Sequence, residues 1–163
     1  MNYFLSPTKG RMSFEGVVLD VLNFMKEEPK MKYRLIIGTD SGNGTYLTKK
    51  SDFVTAIVIH KVGKGGRYFW QKTKKGEIST LRNRIYQEAT LSLDLAQGLL
   101  KKLRNHAGNK WSSYDLEIHV DIGKGGPTRE MIKEVVGMIE GNGFSAKIKP
   151  QAYGASSIAH KHA

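Results

Sequence analysis

Two short predicted strands that each lead to an aspartate constrain the fold of this chain more than any other feature. Residues 35–37 form an apolar run that is followed closely by Asp40, and residues 116–120 run directly into Asp121. The apolar run is too short and too rich in β-branched residues for a helix and predicts a buried strand, and residues 116–120 predict a second strand. If these strands are parallel neighbours, both aspartates emerge at one edge of a sheet, where α/β proteins bind their ligands.

Hydrophobic periodicity and turn residues predict the remaining elements. In chain order, the predicted elements are a helix over 14–28 capped by Ser13, strands over 35–37, 53–60 and 68–71, a helix over 80–104, a strand over 116–120, a helix that starts at Pro127, a strand over 146–149 and a helix over 155–162. The antiparallel start and the βαβ units after it predict an α/β fold, in which a mixed sheet carries helices on both faces. We expect one domain over residues 1–163, with an N-terminal segment and helix in 1–30.

Glu88 adds a third carboxylate to this pattern. It lies about halfway along the long predicted helix, on or beside the apolar stripe. A carboxylate in such a place is unfavourable unless it is paired or binds a cation. If Asp40, Glu88 and Asp121 converge, they repel one another, and a hard divalent ion such as Mg²⁺ relieves that repulsion. Two such ions about 4 Å apart are the usual device for phosphodiester cleavage.

Each of these carboxylates also has a purely structural interpretation. Asp40 can cap a turn, and Asp121 can cap the glycine-rich loop that follows it. Glu88 can pair with Arg84, one helical turn earlier. The joint occurrence of three acids at a strand end, in mid-helix and at a second strand end favours a metal site over three separate structural roles.

The charge balance is the main compositional clue. The 163 residues include 26 Lys and Arg against 15 Asp and Glu, a net charge of +11. Such a chain favours a polyanion such as nucleic acid, although a basic surface can also serve only solubility. The cations cluster between residues 61 and 84. The aromatic residues at 68–70 offer faces for stacking on bases or, alternatively, are half-buried strand residues. The predicted contacts to nucleic acid are Ser41, Lys64, Arg67, Lys72, Lys74, Lys75, Arg82 and Arg84.

Composition also excludes several classes of protein. The chain has no cysteine, so it has neither a disulfide partner nor a thiolate ligand or nucleophile. No apolar run approaches the length of a membrane span, and the first apolar stretch contains acids that a signal peptide lacks. We therefore expect a cytoplasmic protein that does not bind membranes.

A glycine-rich loop follows the strand that ends in Asp121. Residues 123–128 superficially resemble a phosphate loop before a helix, but they lack the Gly-Lys-Ser/Thr ending of a P-loop. We expect a turn whose backbone amides can touch a phosphate, with the structural role as the stronger explanation.

The sequence resembles a known family over nearly its whole length. The matching segments are Ile37-Gly38-Thr39-Asp40-Ser41, Arg84-Ile85-Tyr86-Gln87-Glu88, Glu117-Ile118-His119-Val120-Asp121-Ile122-Gly123 and residues 4–10, 53–58, 62–68, 135–138, 147–150 and 154–157. On these segments the chain resembles the YkuK-like predicted nucleases of the ribonuclease H-like superfamily.

The resemblance implies a five-stranded mixed sheet whose first three strands are antiparallel. It also implies that Asp40, Glu88 and Asp121 are metal-binding carboxylates. Ribonuclease H-like enzymes usually place a fourth acid in the last helix, where this chain has His160 instead. A histidine can ligate a divalent ion or transfer protons, and it favours Mn²⁺ somewhat over Mg²⁺. Alternatively, His160 is a surface residue in a frayed tail.

These observations support a leading hypothesis and two alternatives. The leading hypothesis is a nuclease that depends on Mg²⁺ or Mn²⁺ and cleaves RNA or RNA-containing duplexes by a two-metal mechanism. Its catalytic and metal-binding residues are Asp40, Glu88, Asp121 and His160. The first alternative is a nucleic-acid-binding module on the same scaffold, with weak or no catalysis. The second is a structural protein with a basic surface.

Overall fold

The computed structural model of the chain describes residues 3–42, 50–152 and 154–162. Its strands are β1 (Phe4–Ser6), β2 (Gly10–Met12), β3 (Tyr33–Ser41), β4 (Lys50–Lys61), β5 (Gly65–Glu77), β6 (Leu116–His119) and β7 (Ser145–Lys147). Its α-helices are α1 (Phe14–Glu27), α2 (Leu81–Ala107), α3 (Ile132–Gly141) and α4 (Gly154–His162). Short 3₁₀ turns occupy Gly108–Lys110, Ser113–Asp115 and Arg129–Met131.

The strands form one mixed sheet in the order β2-β1-β5-β4-β3-β6-β7. Strands β3, β4 and β5 are antiparallel, as predicted, and β6 and β7 extend the sheet in parallel from β3. The predicted number of five strands is wrong, because the sheet has seven strands within the described residues. The two additional strands are an N-terminal hairpin that joins β5 where Leu5 lies opposite Trp70. Strands of three residues are too short to show a periodic pattern.

Side-chain caps start the two long helices at the predicted places. Ser13 accepts a hydrogen bond from the Gly16 amide at 3.0 Å, and Thr80 accepts one from the Asn83 amide at 3.0 Å. These bonds satisfy amides that a helix start leaves without partners. Among the residues that the structure describes, no helix combines the length and apolarity needed to cross a membrane.

Helix α3 starts later than predicted. Pro127 lies in a turn, a 3₁₀ turn follows over Arg129–Met131, and α3 begins at Ile132. The side chain of Thr128 accepts a hydrogen bond from the Gly123 amide at 3.2 Å, so residues 123–128 close on themselves as a loop. Proline is compatible with a turn as well as with a helix start, and the local contact decides between them.

The helices pack on both faces of the sheet, as predicted. Helices α1, α2 and α3 cover one face and share the larger core with residues such as Ile57 of β4. Helix α4 covers the other face, where Ala159 packs with Val54 and Ala56 of β4. Neighbouring side chains of a strand point to opposite faces, so consecutive residues at the end of β3 reach different helices.

Candidate functional site

A cleft of about 800 Å³ opens at the ends of β3 and β6 that carry the aspartates. The three predicted acids, Asp40, Glu88 and Asp121, all line it. The other residues of its wall are Leu81, Arg84, Ile85, Gly123, Lys124, Gly125, Gly126, Pro127, Thr128, Ile148, Lys149, Pro150 and Gln151. Since β3 and β6 are parallel neighbours, their ends meet at one edge of the sheet, which explains how distant acids share one cleft.

Asp40 is buried at the end of β3, with 4% of its surface exposed. It lies opposite Val54 in the register of β3 and β4, so its side chain belongs to the face that α4 covers. The Nη2 atom of Arg84 lies 3.9 Å from Oδ1 of Asp40. Asp40 thus combines deep burial with a cation from α2 at the mouth of the cleft.

Glu88 is equally buried, with 3% of its surface exposed, and α2 carries it towards the end of β3. Its Oε1 atom accepts hydrogen bonds from the Ser41 amide at 3.1 Å and from the Ser41 hydroxyl at 2.6 Å. Burial raises the pKa of Glu88 to about 7, and the charge of Asp40 adds to the increase. Burial therefore favours the protonated form of this carboxyl to a higher pH than is usual for a glutamate.

Arg84 connects the two buried acids. Its Nε atom donates to Oε1 of Glu88 at 3.3 Å, and its Nη2 atom donates to the carbonyl of Ser41 at 2.8 Å. The pairing of Glu88 with Arg84 that the helical spacing suggested is therefore present. It coexists with the convergence of Glu88 and Asp40 on one cleft, so the structural and the functional interpretations of Glu88 do not exclude each other.

Asp121 has a different environment, because it follows β6 at the surface. Its side chain is 41% exposed, and Nζ of Lys149 lies 2.7 Å from its Oδ1 atom. The amide of Lys149 donates to the carbonyl of Ile122 at 2.9 Å, which continues the pairing of β6 and β7 beyond their ends. An ion pair this exposed is weakly held, since water screens both charges.

The donor chemistry of the cleft fits a hard divalent cation, which prefers carboxylate oxygen. The buried Glu88 supports this fit, because a nearby cation would favour its ionised form over the protonated form that burial favours. Within residues 3–42, 50–152 and 154–162, however, no group of three or more His, Asp or Glu is close enough together to hold an ion. The structure brings the predicted acids to a common cleft, with cationic side chains beside them.

The side chain of His160 lies outside the described part of the chain. Its helix, α4, packs on the face of the sheet to which Asp40 belongs, through Ala159 and its neighbours. The prediction that His160 assists at the site therefore stays a prediction.

The predicted basic residues whose side chains the structure describes do not all gather at the cleft. Strand β4 pairs Phe53 with Ser41 at the cleft end and Lys61 with Tyr33 at the other end. At about 3.3 Å per residue, the β4–β5 turn therefore lies roughly 25 Å from the cleft end of β4. Lys64 in this turn bonds to Glu28 at 3.1 Å. Nearby, Arg67 bonds to Asp20 at 2.7 Å. Both cations thus bind acids of the α1 segment, far from Asp40.

The other basic candidates are distributed differently. Arg84 lines the cleft. Lys72 lies on β5 opposite Val54, near the cleft end of the sheet. Arg82 pairs with Glu134 of α3 at 2.5 Å. The side chains of Lys74 and Lys75 lie outside the described part of the chain.

Two cations of the cleft escaped the sequence prediction. Lys124 belongs to the glycine-rich loop, and Lys149 follows β7. The sequence position of Lys149 indicates that it lies near the cleft, because it follows β7. A parallel strand beside β6 must end at the same sheet edge as Asp121. Hydrophobic periodicity alone does not reveal which residue after such a strand turns into the cleft.

Comparison with known proteins agrees with this architecture. The family model described as ribonuclease H-like matches residues 16–163. "Uncharacterized protein YkuK" of Bacillus subtilis (strain 168) is 32% identical over 169 residues, an alignment that covers 97% of this chain and 95% of the relative. No solved structure matches the chain significantly. The family match spans most of the chain and the relative is similar over nearly its full length, so the chain belongs to the ribonuclease H-like family as a relative of YkuK.

Proposed function

We propose that this protein is a metal-dependent nuclease that hydrolyses phosphodiester bonds in RNA or RNA-containing duplexes. The observation that carries the proposal is that Asp40, Glu88 and Asp121, from three separate elements, line one cleft. Membership of the ribonuclease H-like family supports a nuclease or a nucleic-acid-binding function, and the buried acids favour the former. A protein that only binds a polyanion has little use for buried carboxylates, which repel phosphate.

The acids of the cleft are the groups that would hold Mg²⁺ or Mn²⁺. When bound, such ions activate water and stabilise the leaving oxygen in phosphodiester cleavage. Asp40 and Asp121, which line the cleft at the ends of β3 and β6, would supply oxygen ligands. Glu88 would complete the first site and orient the water, since a bound cation favours its ionised form over the protonated form that burial favours. His160 serves as an auxiliary ligand or proton shuttle from α4.

The basic side chains of the cleft have a second task in this proposal. Arg84 holds the end of β3 and Glu88 together through its bonds to both. Lys72 and Arg84 contact the phosphate backbone of the bound strand near the cleft. Such contacts position a nucleic acid without reading its sequence.

A second candidate function is a nucleic-acid-binding module with weak or no catalysis. The pairing of Asp121 with Lys149 favours it, because that acid already has a cation beside it. The lack of a fourth acid in α4 points in the same direction. Both functions predict nucleic-acid binding that weakens with salt, so binding alone does not distinguish them.

A cleavage panel tests the proposal directly. Labelled RNA, DNA and RNA/DNA hybrid are incubated with the protein in Mg²⁺, in Mn²⁺ and in EDTA. We expect cleavage of the RNA-containing substrates only with a divalent ion, and a loss of at least 100-fold in Asp40→Asn. The matched control is Asp94→Asn, since Asp94 is an exposed acid on the same helix as Glu88. Equal rates for Asp40→Asn and the parent protein would refute the mechanism.

Calorimetry separates the two candidate functions. The nuclease is expected to bind Mn²⁺ in the absence of nucleic acid, and Asp40→Asn is expected to weaken that binding at least tenfold. A pure binding module has no need of ions at Asp40. Titrations of parent and variant that release the same heat as buffer would favour the second candidate.

A further inference from the structure

One wall of the cleft is basic and free of acids along its whole length. Residues 122–128 contain no carboxylate, and Gly123, Lys124, Gly125 and Gly126 all line the cleft. The acids stand on the ends of β3 and β6 and on α2, so the cleft contains both a carboxylate region and a cationic region. The glycine-rich loop has no role in the metal chemistry of the proposed nuclease, and its composition needs another explanation.

The loop offers an approachable backbone and an uncommitted cation. At Gly125 and Gly126 an added Cβ would meet no atom within 4 Å, so a ligand can approach the backbone closely there. Lys124 is exposed and forms no ion pair with any residue that the structure describes. Elsewhere in the chain several lysines pair with acids, for example Lys61 and Lys64 with Glu28.

Lys149 lies against the same loop. A Cβ at Gly123 would be 3.1 Å from Cβ of Lys149, so glycine at this position allows the lysine stem to pack on the backbone. The ammonium group of Lys149 reaches Asp121 at 2.7 Å, yet its side chain is 58% exposed. A pair this accessible exchanges partners easily, because solvent already screens it.

We propose that residues 123–126 and the side chains of Lys124 and Lys149 form a phosphate subsite, which holds a phosphate of the bound nucleic acid strand beside the carboxylates. This inference rests on the proposed function, since it assigns a role within the same cleft. In the free protein Lys149 neutralises Asp121. When a divalent ion binds at Asp121, the ammonium group turns to the phosphate, so ion and strand bind cooperatively.

The two lysines give the proposal a distinctive signature. Removal of either cation weakens binding of the strand, because each contributes one phosphate contact. Only the removal of Lys149 strengthens ion binding, because only Lys149 competes for Asp121. A general loss of positive charge would instead weaken RNA binding and strengthen ion binding to the same extent in both variants.

The test uses Lys124→Met, Lys149→Met and the control Lys133→Met, which changes an exposed lysine of α3 outside the cleft. RNA affinity is measured by fluorescence anisotropy in Ca²⁺ over a range of salt, and Mn²⁺ affinity by calorimetry without RNA. We expect each cleft variant to bind RNA about tenfold more weakly and to lower the salt slope by about 1. Lys149→Met alone is expected to bind Mn²⁺ several-fold more tightly.

Two binding results would overturn the subsite. One is RNA affinity in Lys124→Met and Lys149→Met equal to that of Lys133→Met. The other is inorganic phosphate or a nucleoside monophosphate competing at the concentration at which RNA competes, because the subsite would then serve a free phosphate rather than a strand. Loss of RNA affinity without any cleavage by the parent would leave the subsite standing and refute only the nuclease. Cleavage that needs Asp40 but neither lysine would leave the nuclease standing and refute the subsite.

Discussion

The hydroxyl of Ser41 donates a 2.6 Å hydrogen bond to Oε1 of Glu88, which ties the end of β3 to the middle of α2 at the cleft. The Ser41 amide donates to the same oxygen at 3.1 Å. Glu88 is 3% exposed, so these bonds replace the water that a carboxylate otherwise binds. The place of Glu88 in the cleft therefore depends on its neighbour in β3.

Replacing Ser41 with alanine tests this dependence. We expect Ser41→Ala to lower the free energy of unfolding by about 1–2 kcal/mol, since a buried acceptor loses one donor. The pKa of Glu88 should rise further, because the Ser41 hydrogen bond lowers it in the parent protein. Urea denaturation at pH 7.5 measures the first effect, and Ser79→Ala, at an exposed position, is the control. Equal stability of Ser41→Ala and Ser79→Ala would contradict the expectation.

The buried carboxyl of Glu88 predicts a particular dependence of stability on pH. Its pKa is raised from 4.5 to about 7, mainly by burial, so the folded state binds the proton more tightly than the unfolded state. This contribution to stability is complete below about pH 4.5 and is lost as the pH rises through 7.

Glu88→Gln keeps the shape of the side chain and removes the titration. From pH 4.5 to pH 8 the variant should therefore gain stability relative to the parent, by about 3 kcal/mol at most. Thermal and urea unfolding in the absence of divalent ions measure the difference, with Glu140→Gln at an exposed position of α3 as the control. Parallel pH profiles of stability for Glu88→Gln and the parent would show that burial does not raise the pKa of Glu88.

Arg67 was expected from the sequence to contact nucleic acid, and the structure predicts a different behaviour. It donates to Asp20, whose side chain is 4% exposed, at 2.7 Å. Arg67→Met should lower the free energy of unfolding by about 2 kcal/mol, because a buried acid loses one of its donors. RNA affinity, measured by anisotropy, should change less than twofold. A variant with unchanged stability and weaker RNA binding would support the sequence-based interpretation instead.

The stacking of His162 on Trp70 predicts that low pH loosens α4. The rings lie 3.7 Å apart at an angle of 8°. Burial lowers the pKa of His162, and Lys161 and Lys72 add to the effect. Since the folded state favours the neutral ring, this contribution to stability is present above the ordinary pKa of 6.5 and is lost as the pH falls through the lower folded pKa.

Hydrogen exchange of the α4 amides measures this effect. In the parent protein we expect opening of α4, corrected for the intrinsic exchange rate, to increase as the solution becomes acidic. His162→Phe keeps an aromatic ring on Trp70 and should show no such increase. His162→Ala removes the ring and should open more at every pH. If His162→Phe opens with acid as the parent does, another group is responsible.

Local chemistry made much of the fold predictable. The start of α1 at Ser13 and of α2 at Thr80 follows from side chains that bond to amides three residues later. Strand β3 follows from a short apolar run and β6 from a short segment in which apolar and polar residues alternate. Their parallel pairing follows from the helix between them. These features depend on residues near one another in the chain, so sequence patterns carry them.

Contacts between distant segments determine the features that the sequence did not predict. The N-terminal hairpin joins the sheet where Leu5 lies opposite Trp70 of β5, and Phe4 packs into the core, whereas three-residue strands have no periodicity of their own. The distribution of the basic residues depends on which end of the β4–β5 hairpin each occupies. Lys64 and Arg67 lie at the end where α1 supplies the acid Asp20 and its C-cap residue supplies Glu28.

The sequence by itself determined that Asp40 and Asp121 end parallel strands and that Glu88 lies on the buried side of a long helix, because periodicity and chain order set those positions. The pairing of Glu88 with Arg84 also follows from helical spacing. Only the tertiary structure decided that Lys149 stands beside Asp121, because β7 pairs with β6 and the lysine stem packs on Gly123. Such side-chain proximity arises from packing across the sheet edge, which no local pattern encodes.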